Sequence, residues 1–180
     1  MSRRLGRPPA GARQLTQARI VDAAEAVLRR EALSMRAVAR RLRVDPMALY
    51  RHVESREALL RAIARRRFAG LEALPVVRGS WRDRLFEVCA RYLSVCEAAP
   101  ELVHALIASS DAAEETRAGF ERLVRAAVEP RSLSPSNVRL LSEVLADFLH
   151  GYALAPGAGT DGLRTELELI FDGVESRARR

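Results

Sequence analysis

Residues 34–53 read SMRAVARRLRVDPMALYRHV, and the punctuation of this stretch decides the fold. Ser34 offers a hydroxyl that can cap a helix ending near Leu42, and Val38, Ala39 and Leu42 then share one face of it. Asp45 followed by Pro46 is the strongest helix start in the chain. It supplies an acceptor at the cap position and then a ring whose missing N–H costs nothing in the first turn. A second short helix is therefore predicted from Pro46 to about His52, with a tight turn around Arg43 and Val44 between the two. Ala39 is small enough to let them approach closely. This is the helix-turn-helix plan, in which the second helix lies in the DNA major groove and the first crosses the phosphate backbone. Arg43 stands where such turns commonly place glycine, so a left-handed conformation there would cost on the order of 1 kcal/mol.

Working outward, Thr16 can cap a first helix to about Arg30, whose Ile20, Ala23, Ala24, Val27 and Leu28 recur at the spacing of a core-facing stripe. Ser55 can cap a fourth helix from Arg56 to about Leu74, stopped by Pro75. Longer helices are predicted beyond Gly79 at about 81–98, 100–109, 112–128, 135–155 and 163–179. Ser80 with Asp83, Asp111 with Glu114, and Ser134 with Pro135 mark three of their starts. Segments 130–135 and 156–162 read as loops. The chain has 180 residues, 48% of them apolar and only 5% aromatic, with few runs of Val, Ile or Thr. That is enough apolar content for a buried core, and the class expected is all-α. The domains expected are a basic arm with a three-helix helix-turn-helix domain in 1–58, and a helical bundle in 59–180.

The net charge of +7 conceals a division. Residues 1–70 hold 17 arginines against 6 acids, whereas 71–180 hold 13 against 17. A module of that size and charge repels itself, and a polyanionic partner is what offsets the repulsion. Double-stranded nucleic acid is the first candidate, an anionic membrane surface the second. The arm Ser2–Arg13, with Arg3, Arg4, Arg7 and Arg13, reads either as a minor-groove arm or as a solubilising tail. Arg65–Arg67 reads as a solvated helix face.

Other classes are disfavoured by what the sequence omits. Cys89 and Cys96 fall two turns apart on one helix face, about 10 Å, beyond disulfide reach, so both are expected as buried hydrophobes in a cytosolic, reducing setting. Neither a signal peptide nor a membrane span is expected, because the basic, Pro/Gly-rich start lacks an apolar core and no uncharged apolar run is long enough. No nucleophile with an adjacent base, no phosphate-cradling glycine loop and no metal-ligand cluster is present, so neither an enzyme nor a metal or cofactor site is expected.

The stretches ARIVDAAEAVLRRE and ALSMRAVARRLRVDPMALYRHVESREALLRAIA resemble the N-terminal DNA-binding domain of the tetracycline-repressor (TetR) family of bacterial transcriptional regulators. Leu49, Tyr50, His52, Val53, Leu59 and Leu60 stand at the family's positions. FLHGYALAPG and TELELIFDGVESR are similar to the dimerising, pocket-forming part of the tetracycline-repressor branch. The resemblance implies that Ser34 and Tyr50 donate to phosphates, that His52 contacts DNA near the end of the recognition helix, and that Arg56 holds a phosphate at the start of the fourth helix. Such contacts fix register rather than read sequence. Arg36 matches a position from which an arginine reaches guanine. Pro46, Met47 and Ala48 form the front of the recognition helix, where Met47 and Ala48 offer apolar surface suited to thymine methyls. Two departures stand out: the connection from Arg30 to Ser34 is about three residues shorter than usual and lacks glycine, and Pro46 lies one place early without a polar base-reading residue beside it.

The resemblance further implies a cytoplasmic homodimer that acts as a repressor on a (pseudo)palindromic operator and is released by a small-molecule effector. His104, Phe86, Tyr92, Phe120, Phe148 and His150 are the candidates for effector contact, each with core packing as the alternative. Helices 135–155 and 163–179 are expected to form the dimer through ridges Val138, Leu141, Leu145, Phe148 and Leu149, and Leu163, Leu167, Ile170, Phe171 and Val174. The rivals are an effector-independent DNA-binding dimer, which predicts a fully packed second domain, and a helical small-molecule binding protein or enzyme, which predicts little DNA affinity.

Overall fold

The computed structural model describes residues 14–72, 78–107, 110–155 and 160–178, and every regular element among them is helical. In chain order these are α1 (Gln17–Leu28), α2 (Met35–Leu42), α3 (Pro46–Leu49), α4 (Arg56–Glu72), α5 (Trp81–Glu97), α6 (Pro100–Ile107), α7 (Ser110–Val128), α8 (Pro135–Leu154) and α9 (Thr160–Ala178). The chain divides into two compact units between Arg56 and Glu57. The basic arm and the Pro75 stop lie outside the described residues.

The first unit is built by its caps. Thr16 accepts from the Arg19 backbone N–H at 3.3 Å, Ser34 from that of Ala37 at 3.1 Å, and Asp45 from that of Met47 at 2.7 Å. Each satisfies one of the donors that a helix start leaves open. The chain between them buries Ile20, Ala24 and Val27 of α1, Leu33, Val38 and Ala39, and then Leu49 and Val53. A fully buried leucine such as Leu49 stabilises by about 2 kcal/mol, so one side chain anchors the four-residue α3.

That helix is shorter than the sequence suggests. Instead of continuing to His52, the backbone N–H groups of His52 and Val53 both turn back to the Leu49 carbonyl, at 2.9 and 3.0 Å. The shared acceptor tightens the chain into a turn that brings Val53 into the core. Smaller differences occur elsewhere: α7 and α9 begin a few residues early, and Glu129–Arg131 forms a 3-10 turn in a segment expected as loop.

In the second unit α5, α7 and α8 pack against one another, with α6 laid against all three and α9 against α5. Cys89 and Cys96 are buried free thiols, as expected, pushed up by burial, Cys96 to about 12. The start of α5 is fastened to α9 by charge. Arg82 pairs with Glu168, with Asp172 at 2.8 Å and with Glu175 at 2.8 Å, while Arg164 reaches Asp83 at 2.8 Å. Trp81 lies against Phe171, with the Arg82 and Arg131 guanidinium groups 5.0 and 5.6 Å from its ring.

The ridges expected at a dimer interface have a different use. Val138, Leu141, Leu145, Leu149, Leu163, Leu167, Phe171 and Val174 are buried within the chain itself, and Phe148 and Ile170 are half-buried. The reason is azimuth: a position one residue away on a helix lies about 100° round the axis. The stripe facing the chain's own core is therefore not the one left free. Leu140, Val144 and Leu169 remain exposed instead.

Candidate nucleic-acid interface

Residues 34–53 fold as two short capped helices joined by a tight turn. Arg43 adopts φ 57°, ψ 45°, the left-handed conformation, at the end of α2. Its N–H donates to the Arg40 carbonyl at 3.2 Å and that of Val44 to the Ala39 carbonyl at 3.1 Å. These paired bonds close α2 and redirect the chain, so the turn is built on arginine where glycine would be relaxed.

This frame sorts the candidate DNA contacts. Ser34, Arg36, Tyr50 and His52 are exposed, and Met47, 70% exposed, is the most exposed side chain on α3. Pro46 and Ala48 are half-buried beside it. The Ser34 oxygen accepts from Ala37, which leaves its O–H free to donate outward. Arg56 is half-buried, and its Nε donates to the Leu33 carbonyl at 2.8 Å, so this guanidinium also ties the start of α4 to the loop before α2. Sequence reasoning missed that structural role, because a donor to a backbone carbonyl 23 residues away leaves no local signal. Residues 35–52 carry five arginines and one acid, Asp45, whose carboxylate is engaged as the α3 cap.

In the second unit the aromatic candidates separate. Tyr92 on α5 packs against Phe120 of α7, ring centroids 4.3 Å apart, and donates or accepts a 2.8 Å hydrogen bond with His150 Nε2 of α8. Phe68 of α4 completes the cluster at 4.7 Å from Tyr92. Phe68 was not among the expected residues, although Leu60, Ala64, Phe68 and Leu71 form a helical stripe that could have revealed it. Burial raises Tyr92 and keeps His150 below its ordinary value, the latter partly opposed by Asp147. One turn before Phe120, Thr116 buries a hydroxyl that has no hydrogen-bond partner among the described residues. The remaining candidates lie apart from this group. His104 is exposed on α6, Phe86 sits under the Arg164 guanidinium at 4.8 Å, and Phe148 pairs with Tyr152 at 5.6 Å.

Residues 20–63 match the sequence model of the bacterial regulatory proteins of the tetR family. The match covers 44 of the 180 residues and spans the helix-turn-helix module. The fold of this chain is shared by solved structures over nearly its whole length. BioQ with its double-stranded DNA operator is 23% identical, with a TM-score of 0.73 over 91% of this chain and 99% of that one. A tetracycline repressor variant from Acinetobacter baumannii in complex with minocycline is 20% identical, with a TM-score of 0.65 over 92% and 96%. The Streptomyces coelicolor TetR-family protein ActR in complex with actinorhodin is 24% identical, with a TM-score of 0.63 over 92% and 86%. Among curated proteins none matches the chain by sequence. The chain thus shares the fold of these structures, and no helix among its described residues is long and apolar enough to cross a membrane.

Proposed function

We propose that the protein is a ligand-responsive repressor that binds a palindromic operator as a homodimer and leaves it when a small molecule occupies the second unit. The observation that carries the reading is the capped α2–turn–α3 module, with an arginine-rich exposed face around Met47. Ser34, Tyr50, His52 and Arg56 act on phosphates, Arg36 on a guanine, and Pro46, Met47 and Ala48 face the groove floor. Homodimerisation uses the apolar surface left on α8 and α9, a groove whose lining includes Leu140, Val144 and Ile170. Two copies of α3 then enter successive major grooves, about 34–36 Å apart. The hydroxyls of Tyr92 and Thr116 and the His150 ring offer an effector polar partners within an aromatic surround. The effector's leverage equals its differential affinity for the bound and released states.

Footprinting on the DNA upstream of its own coding region tests the reading. A two-fold symmetric protected site is expected, with affinity falling linearly in log salt as clamped phosphates release counterions. No protection in dilute buffer would overturn it. The direct packing of Phe68, Tyr92 and Phe120 favours a second reading, a dimer without an effector. That reading requires operator affinity to stay unchanged by every small molecule that raises the melting temperature.

A further inference from the structure

The exposed front of α3 holds its largest unburied side chain, and that side chain is apolar. Met47 is 70% exposed, whereas Met35, twelve residues earlier, is 8% exposed. The backbone beneath Met47 is pinned. Its N–H is held by the Asp45 carboxylate at 2.7 Å, the Ala48 N–H by the Asp45 carbonyl at 2.9 Å, and Leu49 is fully buried. Pro46 fixes the first helical residue. The flexible thioether is thus offered from a fixed point, with Arg36, Arg40, Arg41, Arg43 and Arg51 exposed on the same short module. Hydrophobic exposure inside a cationic surround suits a polyanion that itself carries apolar bumps. In the DNA major groove the one apolar bump is the thymine 5-methyl group.

We infer that Met47 is a specificity-determining residue that reads thymine methyls, so that each operator half-site has thymine under the start of α3. The inference rests on the DNA-binding reading above. An unbranched, polarizable side chain can follow a methyl without a fixed hydrogen-bond geometry, which accounts for base reading at a position with no donor or acceptor.

The test begins by selecting the tightest duplex for the full chain from a pool of random sequence. Each thymine is then replaced singly by deoxyuridine, which removes the 5-methyl group alone. One or two thymines per half-site are expected at which this weakens binding about fourfold, the worth of one buried methyl. At those positions Met47→Ala should bind thymine and deoxyuridine equally. Met47→Gln supplies an amide that pairs with adenine, so reselection with it should move the preferred base there to adenine. A duplex bound equally well without its methyls, or a methyl dependence that survives Met47→Ala, overturns the inference and leaves DNA binding standing. Failure to select any duplex overturns both.

Discussion

At the scale of the residue, Arg43 shows how a local cost can be tolerated. A side chain at φ 57° crowds its own backbone, and glycine does not. Arg43→Gly is expected to raise the stability of the first unit by about 1 kcal/mol in urea denaturation, since the replaced side chain is exposed and buries no surface. An unchanged or lower midpoint would show that the arginine side chain contributes contacts that offset its strain. The position of the turn was legible, because Asp45–Pro46 and Ser34 bracket it. The conformation of Arg43 was not, because several turn geometries satisfy the same bracket. Arg56 makes the complementary case: its charge was visible in the sequence, while its bond to Leu33 depends on a loop folding back.

At the scale of the element, the start of α5 joins a capping box to an interhelical ion pair. The Ser80 hydroxyl and then Arg164 hold Asp83 at about 2, well below an ordinary carboxylate. Because the folded value is depressed, the stability this group contributes is fully present above about pH 4 and is lost as pH falls towards 2. The melting temperature of the wild type should therefore drop across that window, and Asp83→Asn should flatten the part of the drop that Asp83 carries. An identical pH profile for the variant would remove Asp83 from the account. The Ser80–Asp83 box was legible from three-residue spacing. Its partner Arg164, 81 residues on, was supplied by packing.

At the scale of the whole molecule, apolar stripes on α8 and α9 have two destinations. Leu145 is fully buried within the chain, while its neighbour Val144 is 44% exposed. Val144→Glu is expected to turn a dimer into a monomer by size-exclusion chromatography with light scattering, while the helical circular dichroism is kept. Leu145→Ala should instead cost about 2–5 kcal/mol of stability through the cavity it leaves. A Val144→Glu protein that remains dimeric would place the interface elsewhere.

The sequence by itself determined the all-α class, the capped helix starts, the helix-turn-helix plan and the concentration of positive charge in the first 70 residues. Each follows from residues three or four apart in the chain, or from composition, and so needs no knowledge of what packs against what. Only the tertiary structure decided that Tyr92, Phe120, His150 and Phe68 meet while His104, Phe86 and Phe148 do not, and which stripe of α8 and α9 stays uncovered. A helix's period says which residues share a face, but the direction that face takes is set by the other helices around it.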